Sequence, residues 1–509
     1  MYAGVKSATI MGVDGFIVQV EVDLARGLPA FDIVGLPDTA VRESRERVRA
    51  AVKNSGYRFP GSRITINLAP GDLKKAGSHY DLAIAVGILA AEGIISTQRI
   101  GDYLITGELS LTGEVRKVKG VLPMALQARG EGLKGLIIPE ENQSEGLIVE
   151  GLKIIPAAHL NDVIDYFNEG IVKEVVISDL IRNSKNKEYR EDFSDVKGQR
   201  EAKRALEIAA AGRHNIIMVG PPGSGKTMLA RRLRTILPPL TEEESLELTK
   251  IYSIMGLIGS SDGLIKERPF RAPHHSISYV GLIGGGRVPE PGEVSLAHNG
   301  TLFLDELPEY QRSVLEMLRQ PLEEGKVSIV RALAKAVFPA NIMLVAAMNP
   351  CPCGYYGDEN HQCNCTVKDI SRYRGKISGP LLDRIDIHIE VPALSPNELL
   401  TGRGATEHSG QIRQRVLQAR DFQCQRYKNE PYLYNSKLDS KGIQKYCLLN
   451  KEGQQLIKEA IRRLSLSARA YDRILRLART IADLEKSEEI KVDHLAEAVQ
   501  YRTLDRKLI

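Results

Sequence analysis

The stretch from Asn215 to Thr227, Asn-Ile-Ile-Met-Val-Gly-Pro-Pro-Gly-Ser-Gly-Lys-Thr, decides the fold of the surrounding chain. Its apolar residues Ile216 to Val219 predict a short buried strand, and the residues from Met228 onward predict a helix. A strand, the pattern G-x-x-x-x-G-K-T and a helix, in that order, form the context of a phosphate-binding loop. The sequence therefore predicts an α/β module with a nucleoside triphosphate site.

In such a loop the backbone N–H groups surround the β-phosphate, and the helix N-terminus adds the positive end of its dipole. Lys226 would reach the β- and γ-phosphates, and Thr227 would hold Mg²⁺. ATP and Mg²⁺ are the expected cofactors. The expected nucleotide contacts are the loop residues Gly220, Pro221, Pro222, Gly223, Ser224, Gly225, Lys226 and Thr227.

Composition places the chain among ordinary globular proteins. It has 509 residues, enough for roughly three domains, and 43% of them are hydrophobic and 26% charged. The start lacks a basic segment followed by an apolar one, and no apolar run is long enough to span a bilayer. We therefore expect a cytoplasmic protein without a membrane partner. A net charge of +5 is compatible with a locally basic surface but does not predict nucleic-acid binding.

Two adjacent acids end a second buried strand, Thr301-Leu-Phe-Leu-Asp-Glu. Carboxylates in a core strand are costly unless they are used. Asp305 would orient Mg²⁺ through its water shell, and Glu306 would polarise the attacking water. The alternative is a strand that simply emerges into solvent.

The segment that begins at Asp195 and leads to the phosphate-binding loop resembles the entry of AAA+ ATPases. That resemblance implies further site residues at matching positions. Asn349, after the apolar strand Asn341 to Met348, would be the first sensor, and Arg469 in the helical lid would be the second. Arg384 would be an arginine finger presented to the neighbouring subunit, although a surface ion pair is the alternative. A finger supplied by a neighbour requires an oligomer, most often a homo-hexamer.

A predicted hairpin, Lys326 to Arg331 and Ala334 to Pro339, precedes the first sensor. Such a hairpin marks the AAA+ branch that contains magnesium chelatases and MCM helicases. Arg331 and Lys335 near its tip are candidate DNA contacts, and a solvated turn is the alternative. The same branch carries an insertion in its second helix, where this chain has His274 and His275, for which we expect an inter-subunit or loop-ordering role.

The front of the chain resembles the proteolytic domain of Lon-type proteases. The resemblance lies in Ile105-Thr-Gly-Glu-Leu-Ser-Leu-Thr-Gly-Glu-Val and in the segment from Gly132 to Asn142. Alignment places Leu122 where that family has its catalytic Lys, and His79, beside Ser78, where it has its Ser. Leucine cannot deprotonate a serine. We therefore expect a Lon-like, ribosomal S5-like α+β domain without an intact Ser–Lys dyad.

Four of the six cysteines fall within the segment from Cys351 to Cys365. Two C-x-C pairs can supply four thiolates to one tetrahedral Zn²⁺, although C-x-C is tighter than the usual spacing. His361 is a substitute ligand, and reduced surface thiols are the alternative. A zinc ion here would be structural. The candidate ligands are Cys351, Cys353, Cys363 and Cys365.

Several motifs together resemble the ComM/YifB family of magnesium-chelatase-like AAA+ proteins. They include Phe-Arg-Ala-Pro-His-His-Ser from Phe270 and Met-Asn-Pro-Cys-Pro-Cys-Gly from Met348. The resemblance implies a ring helicase that moves branched DNA during natural transformation or recombination, with branched or single-stranded DNA as its partner. A chelatase-type motor that remodels a protein partner is the alternative.

The expected division of the chain follows from these motifs. Residues 1–178 form the Lon-like domain and residues 179–194 a polar linker. Residues 195–393 form the AAA+ core, which includes both insertions and the cysteine cluster, and residues 394–509 form a helical lid.

Overall fold

The computed structural model describes residues 1–171, 191–260, 262–331, 334–358, 361–394, 407–464 and 466–502. These residues fall into two compact units. The first unit holds residues 1–171, 242–265 and 335–337 within that description, and the second unit holds the rest. Most of the predicted linker, residues 179–190, lies outside the described residues. Residues 242–265, placed by their sequence in the AAA+ core, group with the first unit.

The first unit is built on a seven-stranded mixed sheet with strand order β3-β4-β2-β1-β5-β8-β9. Its strands, together with the small pair β6 and β7, are β1 Tyr2–Met11, β2 Asp14–Ala25, β3 Ala30–Val34, β4 Arg63–Ala69, β5 Tyr103–Ile105, β6 Glu108–Leu109, β7 Val115–Arg116, β8 Gly135–Pro139 and β9 Lys153–Ala157. Its helices up to residue 171 are α1 Thr39–Asn54, α2 Asp81–Ala91, α3 Val121–Gly130, α4 Gln143–Leu147 and α5 Leu160–Glu169.

Alternation along the strands divides the core of this unit between two faces of the sheet. Ile137 packs in the cluster that contains α1, α2 and α5, whereas its neighbours Leu136 and Ile138 pack in the cluster that contains α3 and α4. Helix α2 is buried on all sides, as its continuous apolar sequence predicts. Asp38 caps α1, since its carboxylate accepts a hydrogen bond from the backbone N–H of Val41.

The positions that match the Lon dyad do not form a catalytic pair. Leu122 is fully buried in α3, where it packs in the core. The Ser78 hydroxyl donates a hydrogen bond to the carboxylate of Glu108. The His79 side chain is partly buried, and loss of water around the ring lowers its pKa to about 4. Its Nε2 lies 3.0 Å from the backbone oxygen of Ala8. Among the described residues, the hydrogen-bond partner of the Ser78 hydroxyl is the Glu108 carboxylate and not a lysine.

The second unit contains a five-stranded parallel sheet with strand order β11-β14-β17-β10-β18. Its strands, together with the small pairs β12–β13 and β15–β16, are β10 Ile216–Val219, β11 Phe270–Arg271, β12 Gly284–Gly285, β13 Glu290–Pro291, β14 Thr301–Leu304, β15 Lys326–Arg331, β16 Ala334–Pro339, β17 Met343–Met348 and β18 Ile387–Glu390. Helix α8, Glu242–Ile254, and residues 335–337 of β16 lie within this stretch of sequence but group with the first unit. The other helices are α6 Arg200–Gly212, α7 Lys226–Ile236, α9 Tyr279–Ile283, α10 Glu293–Leu296, α11 Arg312–Glu316, α12 Arg319–Glu324, α13 Val367–Arg374 and α14 Gly379–Leu382.

The C-terminal residues of the second unit are helical, as predicted. Their helices are α15 Ser409–Arg426, α16 Ser440–Tyr446, α17 Lys451–Leu464, α18 Ala468–Leu484 and α19 Val492–Gln500. One hydrophobic cluster joins these helices to the parallel sheet, with Ile474 of α18 and Ile216 of β10 among its members. The predicted boundary between core and lid adjoins residues 395–406, which lie outside the described residues.

The residue pattern from Gln311 to Glu324 predicts one continuous helix, but the structure has two short helices there, α11 and α12. Pro321 lacks the backbone N–H that a continuous helix would use at this position. The break leaves Pro321 in the first turn of α12, where that N–H has no intrahelical partner anyway.

Within the described ranges, none of the helices is both long and apolar enough to cross a membrane.

Candidate nucleotide site and cysteine cluster

The phosphate-binding loop lies between β10 and α7, as the sequence predicts. Gly223 and Gly225 have φ values of +79° and +91°, in the left-handed region that favours glycine. A Cβ added to Gly220 would lie 2.1 Å from the backbone oxygen of Val391, so a side chain does not fit there. The loop follows the carboxyl end of a parallel strand, which is where open α/β sheets bind ligands.

Lys226 folds back onto the loop. Its ammonium donates to the backbone oxygens of Gly220 at 2.7 Å and Pro221 at 2.8 Å. Burial lowers the pKa of Lys226 to about 8, and the negative charge of Asp305 opposes that shift. A third neutral partner is the Ser224 hydroxyl at 3.4 Å. A buried cation held by neutral oxygens is well suited to meet phosphate oxygens.

The acids that end β14 lie beside the loop. The Thr227 hydroxyl donates to Asp305 Oδ2 at 2.7 Å, so the two predicted Mg²⁺ residues are in direct contact. The backbone N–H of Glu306 donates to Asp305 Oδ1 at 2.9 Å. Glu306 has φ +50° and ψ +47°, a left-handed conformation that is strained for a residue with a side chain.

Asn349 completes this group at the end of β17, which lies between β10 and β14 in the sheet. Its Oδ1 accepts from the Lys226 ammonium at 3.3 Å. The structure therefore brings five predicted site residues to one edge of the sheet. They are Lys226, Thr227, Asp305, Glu306 and Asn349.

His275 is a member of the site that the sequence did not assign. Its Nδ1 lies 3.3 Å from a carboxylate oxygen of Glu306, and its ring packs edge-on against Tyr310. The adjacent ring of His274 lies 4.0 Å from that of His275, but its Nδ1 contacts the Ser276 hydroxyl instead. The Phe-Arg-Ala-Pro-His-His motif marked the segment, yet nothing in its spacing indicated contact with the acidic pair.

Within the described part of the single chain, neither predicted arginine hydrogen-bonds to the phosphate-binding loop. Arg384 is buried, donates to the backbone oxygen of Pro380 and pairs with the carboxylate of Glu323. Arg469 is exposed in the first turn of α18, and the structure gives it no hydrogen bond within the described residues. Their roles as finger and second sensor remain predictions.

The side chains of Arg331, at the end of β15, and Lys335, near the start of β16, are exposed. The two strands pair in their own two-stranded sheet, so the predicted hairpin is confirmed. Its proposed contact with DNA remains a prediction.

The four clustered cysteines converge on one point. Cys351 Sγ lies 3.3 Å from that of Cys353 and 3.7 Å from that of Cys363, and all four sulfurs lie within 4.8 Å of one another. None is in a disulfide. A tetrahedral Zn²⁺ with bonds of about 2.3 Å holds its sulfurs about 3.8 Å apart, so the donor set fits one such ion. The ring of His361 stacks on Tyr355 and is not among the converging groups.

Comparison with known proteins identifies the family. The family model described as magnesium chelatase, subunit ChlI, matches residues 192–399, and the model of its C-terminal part matches residues 406–502. A model described as subunit ChlI of Mg-chelatase matches residues 20–142. The uncharacterized protein YifB of Salmonella typhimurium is 44% identical over 99% of this chain and 98% of its own length. The chain belongs to the ComM/YifB family of magnesium-chelatase-like AAA+ proteins.

Two further relatives of this chain have names that describe a function. The competence protein ComM of Haemophilus influenzae is 44% identical over 99% of this chain and 98% of its own length. Lon protease 2 of Bacillus subtilis is 28% identical over 163 residues, 29% of each chain. Family membership therefore extends over the whole chain, whereas the similarity to Lon is partial.

Proposed function

We propose that this protein is an ATP-hydrolysing AAA+ motor that acts on DNA. The observation that carries ATP hydrolysis is the convergence of Lys226, Thr227, Asp305, Glu306 and Asn349 at the carboxyl edge of the parallel sheet. A lysine, a hydroxyl, an acidic pair and a polar sensor are the groups that phosphoryl transfer to water needs.

Each residue has a defined task in this proposal. The Lys226 ammonium exchanges its backbone partners for the β- and γ-phosphate oxygens. Thr227 and Asp305 would hold Mg²⁺, which supplies charge neutralisation between those phosphates. Glu306 accepts a hydrogen bond from the attacking water, and the Asn349 amide helps to place that water. The contacts among these groups support the assignment, because each group is already held by its neighbour.

We infer that the complete site is shared between subunits of a ring, for which a homo-hexamer is the expected form. Arg384 would reach the γ-phosphate of a neighbouring subunit after leaving its pair with Glu323, and Arg469 would act from the lid. An arginine finger contributes about 10³ to 10⁵ in rate, so a chain alone would be nearly inactive.

A DNA substrate is supported by the name of the competence relative and by the exposed cations of the β15–β16 hairpin. On this basis we propose a branch-migration helicase used in natural transformation or recombination. Branched or single-stranded DNA would pass along basic loops that contact its phosphates. The front unit, by its partial similarity to Lon, would be a Lon-like domain that has lost the protease chemistry.

The second candidate is a chelatase-type motor that remodels a protein partner. It is favoured by the match of residues 192–399 to the magnesium chelatase model. Both candidates use the same ATP site, so loss of ATPase activity in Lys226→Ala does not separate them.

The rate of ATP hydrolysis with and without DNA separates the two candidates. We expect single-stranded DNA or a four-way junction to raise the rate several-fold at low salt, with the effect lost between about 50 and 200 mM salt. Double-stranded linear DNA serves as the comparison. Equal rates with and without every form of DNA would contradict the helicase proposal and favour the protein-remodelling one.

A further inference from the structure

The cysteine cluster lies against the phosphate-binding loop at Gly354. Gly354 follows Cys353 directly and has a φ of +90°. A Cβ placed on Gly354 would lie 2.6 Å from Cδ and 2.8 Å from Cγ of Pro222, which belongs to the phosphate-binding loop. Such a distance leaves no room for a side chain, so the glycine backbone packs directly on the loop.

A second connection runs through the end of β17. Asn349, two residues before Cys351, accepts a hydrogen bond from the Lys226 ammonium. Cys351 is fully buried, and its backbone oxygen accepts from the N–H of Gly354 at 3.0 Å. The chain from Asn349 to Gly354 therefore contacts the phosphate-binding loop at both of its ends.

Side-chain contacts also hold the part of the cysteine segment that leads into helix α13. The Arg374 side chain donates to the backbone oxygen of Pro350 at 3.0 Å, and its guanidinium lies 5.3 Å from the ring centre of Tyr356. Helix α13, which carries Arg374, begins at a reciprocal cap between Thr366 and Asp369, directly after Cys365. Without a metal, the closure of this segment would depend on these polar contacts and on four unlinked thiols.

We propose that the four cysteines bind one Zn²⁺ and that this ion braces the phosphate-binding loop by fixing Gly354 against Pro222. Four thiolates with no open position form a structural site, whose binding free energy stabilises the fold around it. Zinc occupancy thereby sets the affinity for nucleotide, although none of the four cysteines belongs to the phosphate-binding loop. This inference rests on the proposed function only in requiring that the phosphate-binding loop binds nucleotide.

The first measurement is the zinc content of the purified full-length protein. We expect about one zinc per chain, and its loss in the double variant Cys363→Ser with Cys365→Ser. Cys424→Ser, which removes an exposed cysteine outside the cluster, should keep its zinc. Absence of zinc from the unaltered protein after growth with added zinc would overturn the metal assignment.

The second measurement is the affinity for a fluorescent ADP analogue, which needs neither hydrolysis nor DNA. We expect affinity to fall about tenfold or more in the double cysteine variant, because the loop loses its brace. Gly354→Ala should keep its zinc but bind the ADP analogue about tenfold more weakly, because its methyl group would collide with Pro222.

Gly357→Ala is the matched control for Gly354→Ala. Gly357 lies in the same segment with a φ of +81°, but a Cβ there would meet nothing within 4 Å. It therefore carries the same backbone strain without the collision and should bind nucleotide nearly as well as the unaltered protein. Equal affinity in Gly354→Ala and Gly357→Ala, or full affinity in zinc-free protein, would overturn the brace. If the unaltered protein bound no nucleotide, the proposed function itself would fail.

Discussion

Lys226 shows how a single buried group can report on nucleotide binding. Its ammonium is held by carbonyls of its own loop, and burial lowers its pKa to about 8. At pH 8 it is therefore about half protonated before nucleotide binds. Phosphate oxygens favour the charged form, so nucleotide must raise this pKa.

We expect ADP binding at pH 8 to take up about half a proton per site and binding at pH 7 about a tenth. Calorimetry in buffers with different ionisation enthalpies measures that uptake. Lys226→Arg is the control, since an arginine is already fully protonated at both pH 7 and pH 8. No uptake at pH 8 by the unaltered protein would show that Lys226 is charged before binding, contrary to its burial.

The contact of His275 with Glu306, and not a sequence motif, suggests a role for this histidine. Its ring lies against the Glu306 carboxylate, which is otherwise exposed, and the backbone of Glu306 is strained. A carboxylate that must align a water benefits from a fixed orientation. His275 would then be a positioning residue.

We expect His275→Ala to lower kcat for ATP about three- to tenfold while KM changes less than twofold, because orientation and not binding is lost. His274→Ala is the matched control, since His274 contacts Ser276 instead. If both variants had the same kcat, or if His275→Ala changed only the melting temperature, the contact would be merely structural.

Among the elements, those with strong local patterns were predictable from sequence. The strand Ile216–Val219, the capped helix Thr39–Asn54 and the β15–β16 hairpin each follow from apolar periodicity or from a capping residue. The break between α11 and α12 was missed because Pro321 sits in an otherwise helical pattern. The contacts of His275 with Glu306 and of Gly354 with Pro222 were not predictable, because they join segments that no periodicity relates.

The β15–β16 hairpin offers a test of the DNA proposal. We expect Arg331→Ala combined with Lys335→Ala to weaken DNA binding and to reduce the dependence of log affinity on log salt by about two. The basal ATPase rate should not change. Lys326→Ala, a cation at the base of the same hairpin beside Glu324, is the control. An unchanged salt dependence in the double variant would remove the hairpin from the DNA path.

For the whole molecule, the central proposal is that the ATP site needs a second subunit. Within one chain, Arg384 is buried and pairs with Glu323, and Arg469 is exposed without a hydrogen bond among the described residues. The fold of one chain therefore brings five of the predicted groups together, and we propose that Arg384 is supplied by a neighbouring subunit and Arg469 by the lid. Association through a head-to-tail interface would bring different surfaces of identical chains together.

Mixing two inactive variants tests this account most directly. Lys226→Ala lacks the loop lysine, and Arg384→Ala lacks the finger, so each alone should hydrolyse ATP at least about a hundredfold more slowly than the unaltered protein. The two variants are mixed in equal amounts while dilute, and the mixture is then concentrated. Each shared site then needs an intact Lys226 from one subunit and an intact Arg384 from its neighbour. Random assembly then predicts about a quarter of the normal rate. A mixture no more active than the sum of its parts would contradict a site shared between subunits.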